Sequence, residues 1–161
     1  MTLGADVKLP PEAPRAAPPR CLSRRIGFLL ARGHIDCLAM AVQVLEPGLG
    51  GKHFGCMATI ANEGPLSQHE LGDRLRVDRT TIVALVDELE RRNLVARRRN
   101  PEDRRAYALE ATAAGRRWVK RTSAALAKAE ARLLEGLEPD EREELIRLLQ
   151  KLIYGGTFAS S

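Results

Sequence analysis

Apolar side chains recur along the chain with a helical period, and this pattern predicts a mostly α-helical fold. The clearest stripe follows the spacing i, i+3, i+4, i+7 and consists of Ile82, Leu85, Val86 and Leu89. Such a stripe indicates a helix with one buried face. Leu71 and Leu75 give a shorter helix just upstream. The opposite face of the longer helix is polar at its start, which suits contact with base edges in a DNA major groove.

Cap signals define where these two helices begin. Ser67 and Glu70 form the capping-box pattern, with Leu66 and Leu71 placed as a hydrophobic staple. Asp78 is placed as the N-cap of the second helix, and Asn93 suits a left-handed cap at its end. Two short helices joined by a tight turn, with polar residues opening the second, are typical of a helix-turn-helix.

The segment after the second helix predicts a β-hairpin. Residues 94–99 and 105–109 are short and partly alternating, and Asn100-Pro101 lies between them as a turn. The predicted fold class is therefore mostly α with a small β-hairpin: a winged helix-turn-helix module, plus terminal helices that form a dimerisation region.

The rest of the chain divides around this module. We expect a Pro-rich disordered arm over 1–20, N-terminal helices over 21–64, the winged module over 65–110 and C-terminal dimerisation helices over 111–154. The first long helix is predicted from Cys21 to about Glu46, and the second from His53 to Asn62. Thr112 caps a helix that reaches about Gly136, and Pro139 opens the last one.

The excess positive charge is concentrated in one segment. Seven arginines and two acids lie between Arg91 and Arg105, and their difference equals the net charge of +5 of the whole chain. A local arginine excess suits a phosphate backbone, because each neutralised phosphate releases counterions. Alone, the cluster also fits a solvated surface or an RNA-binding patch. Its position after the predicted recognition helix favours double-stranded DNA.

These residues together resemble the MarR family of bacterial transcriptional regulators. The resemblance is carried by 65–71, 77–81, 86–95, 100–105, Leu109 and 112–115, and with weaker similarity it covers roughly 22–153, most of the chain. It implies that Asp103 orients the wing while Arg105 enters the minor groove. Other DNA contacts are expected from the helix-turn-helix and the wing; they are Ser67, Gln68, Arg79, Thr80, Thr81, Ala84, Arg97, Arg98, Arg99 and Arg104.

The resemblance also implies a homodimer and a small-molecule effector. Apolar stripes at both ends of the chain would be exposed in a monomer, as in a helical dimer interface. Family members bind small, often anionic or aromatic, molecules where the dimer region joins the winged module. The nearest polar candidates here are Arg24, Arg25, His34 and His53. For the histidines, a surface or satisfied interior position is an equal alternative.

Several function classes are not supported. Neither a Gly-rich phosphate loop nor Cys-x-x-Cys occurs, so we expect no enzyme, metal or cofactor. No apolar run is judged long enough to span a membrane, and the amino terminus lacks a secretory pattern. A cytoplasmic, nucleoid-associated protein follows. The alternatives are a redox-responsive regulator that uses Cys21, Cys37 or Cys56, and an architectural DNA-binding module without sequence preference.

Overall fold

A computed structural model describes residues 17–99 and 107–155, except for the side chain of Arg99. The described part contains six helices and one antiparallel sheet of two strands. In chain order they are α1 (Ile26–Val44), α2 (Gly51–Glu63), α3 (Gln68–Leu75), α4 (Arg79–Arg91), β1 (Val95–Arg99), β2 (Tyr107–Ala111), α5 (Ala113–Leu133) and α6 (Pro139–Tyr154). The predicted fold class, mostly helical with a small hairpin, is confirmed.

The core lies where α2, α3, α4 and the hairpin meet. The predicted stripe of α4 is buried in full, and Ile82, Val86 and Leu89 have no exposed surface. Met57 of α2 and Leu71 of α3 pack in the same cluster. Burial of each such side chain contributes about 1.5–3 kcal/mol to folding. The apolar face of α4 is therefore anchored in the core, opposite the face that is predicted to contact DNA.

The hairpin is joined to the helices by a short third pairing. Within the sheet, Val95 pairs with Ala111 and Arg99 with Tyr107. Leu66 forms an additional antiparallel bridge to Leu109, with N–H to O distances of 3.3 and 2.7 Å. Residues 64–66 were not predicted to pair with the hairpin, because a single bridging residue leaves no alternation pattern. The bridge fixes the hairpin beside the start of α3.

The start of α5 packs closely against the residues that precede β1. Asn93 ends the turn after α4 with φ of 58°, the left-handed conformation predicted for it. Thr112 caps α5: its Oγ1 accepts from the Gly115 N–H at 2.9 Å and donates to the Asn93 carbonyl at 2.8 Å. A Cβ at Gly115 would lie 2.1 Å from the Leu94 carbonyl oxygen, so only glycine allows this approach.

The terminal helices differ from the core. Neither α1 nor α6 has a buried residue, although both carry large apolar side chains. The helix α1, with 19 residues and a mean hydropathy of 1.2, meets the length and composition criterion for a membrane span. The expectation that no apolar run is long enough is therefore wrong, because Arg32 and Asp36 are its only charges. A helix that packs on a second chain has the same composition, so the criterion alone does not indicate a membrane.

Helix boundaries differ from the predicted ones in α1, α2 and α5. Helix α1 begins at Ile26 rather than Cys21, because residues 19–22 form a turn in which the Leu22 N–H donates to the Pro19 carbonyl. Helix α5 ends at Leu133 rather than Gly136, and α2 is longer than predicted by three residues. Most of the predicted arm, residues 1–16, lies outside the described residues.

Candidate nucleic-acid interface

The first turn of α4 presents short polar side chains to solvent. Asp78 caps it: Oδ1 accepts from the Thr81 N–H at 2.9 Å, and Oδ2 accepts from the Thr81 hydroxyl at 2.7 Å. These bonds hold the pKa of Asp78 below its usual value. Arg79, Thr80 and Ala84 are exposed. Among the described residues, Arg79 has no hydrogen-bond or ion-pair partner, so its guanidinium is available for DNA.

The predicted contacts at the start of α3 have a structural role as well. The Ser67 Oγ accepts from the Glu70 N–H at 3.2 Å, while Glu70 Oε2 accepts from the Ser67 N–H at 2.7 Å. The capping box is therefore formed as predicted. Ser67 can still donate its hydroxyl hydrogen to a phosphate, and Gln68 is half-buried beside it. Both remain predictions as DNA contacts.

Four arginines of the basic segment already have acidic partners. Arg91 and Arg92 pair with Glu88, Arg97 with Asp87 and Glu90, and Arg98 with Glu110. All of these acids lie outside residues 91–105, so a charge count over that window misses them. The Glu88 pairs have the i+3 and i+4 spacing of a helix and could have been predicted. The pairs of Arg97 and Arg98 depend on where the hairpin folds.

Arg97 and Arg98 point to opposite sides of β1. Arg97 turns toward α4, and its hydrogen bond to Asp87 raises its pKa further, so it stays charged. Arg98 is diagonal to Glu110 on β2 and bonds it at 2.8 Å, while 70% of its side chain is exposed. The side chain of Arg99, and Asp103, Arg104 and Arg105, lie outside the described residues. Their wing contacts stay predictions.

A cleft of about 370 Å³ opens beside the end of α4. It is lined by Glu46, Arg92, Leu94, Ala114, Arg117, Trp118 and Arg121. Trp118 is almost fully buried and contacts Phe54, with ring centroids 6.1 Å apart. Arg117 and Arg121 are exposed and have no hydrogen-bond or ion-pair partner among the described residues. The cleft therefore combines an aromatic wall with unpaired positive charge.

Arg92 connects this cleft to the recognition helix. Its Nε donates to Glu88 at 2.6 Å, and its Nη2 donates to the Pro47 carbonyl in the loop between α1 and α2 at 2.8 Å. Its Nη1 lies 3.8 Å from Glu46. From the sequence, Arg92 was only one of the seven arginines of the basic segment. A charged residue that bridges elements 45 positions apart leaves no local signal.

The predicted effector candidates do not line this cleft. Arg24 and Arg25 are exposed just before α1, and His34 is exposed in the middle of that helix. His53 lies at the start of α2, where its Nδ1 accepts from the Gly50 N–H at 3.0 Å. Burial, with a smaller effect of Arg92, lowers its pKa. His53 thus acts as a neutral helix cap in this structure, and all four effector assignments remain untested.

The three thiols lie in different environments. Cys21 is exposed in the turn before α1, five residues ahead of the first residue of that helix. Cys37 is exposed on α1, and partial burial together with Glu130 raises its pKa. Cys56 is fully buried, which raises its pKa to about 11. A raised pKa disfavours the reactive thiolate at Cys37 and Cys56.

A capped recognition helix, packed from behind and followed by a two-stranded wing, defines a winged helix-turn-helix DNA-binding protein. The family model described as the MarR family matches residues 52–107. A protein of Thauera aromatica, described as a putative transcriptional regulatory protein for the hcr operon, is 33% identical over 81% of this chain and 80% of its own length.

Solved structures of transcriptional regulators are also similar to this chain over most of its length. A MarR-family transcriptional regulator from Rhodococcus sp. RHA1 is 31% identical, with a TM-score of 0.76, over 87% of this chain and 100% of the other. CouR from Rhodococcus jostii RHA1, bound to p-coumaroyl-CoA, is 32% identical, with a TM-score of 0.72, over 88% and 100%. CouR bound to a 23-mer DNA duplex is 31% identical, with a TM-score of 0.73, over 81% and 94%.

The chain therefore belongs to the MarR family and is a DNA-binding transcriptional regulator rather than an enzyme.

Proposed function

We propose that the protein is a homodimeric repressor in the cytoplasm, bound to the nucleoid and released from a pseudo-palindromic operator by a small-molecule effector. The observation that carries the proposal is the division of α4 into two faces. Its apolar face is buried, while Arg79, Thr80 and Ala84 are exposed. A helix anchored in this way can enter a major groove without rearranging its own core.

The exposed apolar side chains of α1 and α6 support the dimer. They include Leu29, Leu30 and Leu38 on α1, and Leu148 and Leu152 on α6, all at least 44% exposed. Apolar surface of this extent on two helices indicates a partner. A second copy can cover the apolar faces of both helices in a twofold symmetric interface. Two recognition helices about 34 Å apart then match successive major grooves.

The cleft beside Arg92 is our proposed effector site. Arg117 and Arg121 would bind an anionic group, and Trp118 and Leu94 would contact an apolar part. The cleft volume of about 370 Å³ lies at the lower end for small-molecule sites. The complex of CouR with p-coumaroyl-CoA supports a small-molecule effector in this family.

Arg92 offers a route from the cleft to DNA. A bound anion would attract Arg92 away from the Pro47 carbonyl and from Glu46. The end of α4 would then lose its tie to the loop that follows α1. Because α1 belongs to the proposed dimer region, the spacing of the two recognition helices would change. The effector releases DNA by binding one dimer state better than the other.

The DNA-binding part is tested by a mobility-shift assay on the DNA upstream of the gene for this chain. We expect a discrete complex at about 0.15 M salt that a scrambled duplex does not compete away. Arg79→Ala should weaken it about 5- to 150-fold, in line with ~1–3 kcal/mol per base contact. Arg132→Ala removes an exposed arginine from α5 and serves as the matched control.

Two results would contradict this part. If Arg79→Ala binds like the wild type, α4 does not read the groove through this residue. If the scrambled duplex competes as well as the upstream DNA, the protein is the architectural module without sequence preference.

The effector part is tested without DNA, through the fluorescence of Trp118, the only tryptophan in the chain. We expect benzoate to change the emission in a saturable way, and neutral benzamide to have little effect. The double variant Arg117→Gln, Arg121→Gln should bind benzoate about 10-fold more weakly. The double variant Lys120→Gln, Lys128→Gln removes the same charge from α5 outside the cleft. Equal binding by both double variants would contradict the site.

A further inference from the structure

Arg97 occupies the junction between the wing and the recognition helix. It lies in the middle of β1, opposite Leu109, and its guanidinium donates through Nη1 to Glu90 and through Nη2 to Asp87. Asp87 and Glu90 are three residues apart on α4, so they lie on neighbouring parts of one helix face. One arginine thus joins a strand to two points on a helix.

This arrangement limits what Arg97 can do for DNA. Only 26% of its side chain is exposed, against 70% for Arg98 on the other side of the strand. If Arg97 left its partners to bind a phosphate, two carboxylates would remain unpaired beside the DNA-facing surface. These carboxylates would repel the phosphates and so oppose binding of Arg97 to one of them. Arg98 would leave only the single carboxylate of Glu110.

Neutralisation of the Asp87 carboxylate by Arg97 matters for DNA binding because of where Asp87 lies on α4. Asp87 is exposed on α4 and lies seven residues after Thr80, about two helical turns further along the same face. An unpaired carboxylate at the far end of a groove-facing stripe would disfavour DNA. The buried apolar residues of α4 anchor the helix in the core. They do not set the angle between the exposed face of α4 and the wing.

We propose that Arg97 is a positioning residue for DNA recognition, which holds the wing against the recognition helix by pairing with both Asp87 and Glu90. It aligns the two DNA-contacting elements and neutralises the acids of α4, and it does not bind a phosphate itself. This inference rests on the proposed use of α4 and the wing on DNA. It assigns a role in DNA recognition to two acids of α4, Asp87 and Glu90.

A positioning role and a phosphate-binding role for Arg97 predict opposite effects of Asp87→Asn on DNA affinity. Asp87→Asn removes a negative charge near DNA and, by charge alone, would tighten binding. If Arg97 is a positioning residue, Asp87→Asn instead loosens the wing and weakens binding about 3- to 10-fold, as expected for loss of a charge-assisted pair. Arg97→Gln should weaken binding at least as much. The double variant Arg97→Gln, Asp87→Asn should be no weaker than Arg97→Gln alone.

Salt dependence supplies the second readout. The slope of log K against log salt should stay at the wild-type value in Arg97→Gln, while Arg98→Gln should lower its magnitude by about 0.9 if Arg98 binds one phosphate. Arg98→Gln is the matched control, because it removes the adjacent arginine of the same strand. Circular dichroism and urea unfolding check that each variant is folded, and Glu90→Gln replaces Asp87→Asn if the latter is not.

Either of two results would overturn the proposal. It is wrong if Asp87→Asn, or Glu90→Gln in its place, binds DNA as tightly as the wild type or more tightly. It is equally wrong if Arg97→Gln lowers the slope by the amount for one phosphate. The slope can be measured on any duplex, so failure to find an operator for the protein leaves this test intact.

Discussion

The winged module and the terminal helices use the same apolar residues in opposite ways. In α4 the leucines and isoleucine of the stripe are buried within one chain, and Leu89 has no exposed surface. In α1 and α6 similar side chains remain at the surface, among them Leu30 at 44% and Leu152 at 59% exposure. The core of the module is thus completed within one chain, whereas the apolar faces of α1 and α6 are left uncovered by the described residues.

The largest expected effect comes from a cavity in the module. Leu89→Ala should lower the free energy of unfolding by about 2–5 kcal/mol, because a fully buried side chain is lost and the surrounding core collapses only in part. Urea unfolding measures it. The matched variant is Leu30→Ala in α1, a residue that lies at the surface of the single chain.

These two variants should also respond differently to protein concentration. The loss in Leu89→Ala should be the same at all concentrations, since it arises within one chain. The loss in Leu30→Ala should grow on dilution if α1 packs against a second copy. If both losses were independent of concentration, the distinction between the two regions would not hold.

A second test disrupts the terminal helices and leaves the module intact. The double variant Leu148→Ala, Leu152→Ala removes four apolar side chains from each proposed dimer. Operator affinity should fall by about 100-fold, because one recognition helix alone reads only a half-site. The double variant Glu143→Ala, Arg147→Ala removes exposed polar side chains from α6 outside the Leu148–Leu152 face, without changing net charge. Operator binding by the leucine variant at wild-type strength would mean that α6 contributes nothing to assembly.

A smaller effect is expected where the module joins α5. Thr112 caps α5 and also bonds the Asn93 carbonyl, so Thr112→Ala removes both contacts. We expect a loss of ~1 kcal/mol in unfolding free energy. Thr112→Ser keeps the hydroxyl and should retain most of the stability. Equal losses for the two variants would show that the methyl group, not the cap, is responsible.

The smallest expected effect is a change of stability in acid. The hydroxyl and amide of Thr81 lower the pKa of Asp78 from its ordinary value of 3.8. A group whose pKa is lowered on folding stabilises the native state above its unfolded pKa and loses that contribution as pH falls through the folded value. The wild type should therefore lose more stability than Asp78→Asn as pH falls below about 3.8. Parallel losses for both proteins would contradict the contribution of the cap.

The sequence was sufficient for the local elements of the fold. The capping box at Ser67, the cap at Asp78 and the left-handed Asn93 depend on residues within about four positions of each other, and all three are confirmed. The apolar stripe of α4 is also buried as predicted. The start of α1 was misplaced because apolar periodicity continues through residues 22–25, where the backbone forms a turn.

The electrostatic arrangement of the site could not be predicted in the same way. Arg97 pairs with Asp87 and Glu90 only after the hairpin has folded onto α4. Arg92 reaches a carbonyl 45 positions away, and the arginines of the cleft come from two helices that are distant in sequence. A charge count along the chain finds the basic segment but not its partners, because those partners are brought close by tertiary packing.

We propose above that the exposed apolar faces of α1 and α6 are covered by a second copy of the chain. Sedimentation equilibrium of the intact protein at micromolar concentration measures its mass in solution. We expect a mass twice that of the 17.7 kDa chain. The double variant Leu148→Ala, Leu152→Ala should shift toward the monomer at the same concentration. A wild-type protein that sediments as a monomer while it remains folded would contradict the account.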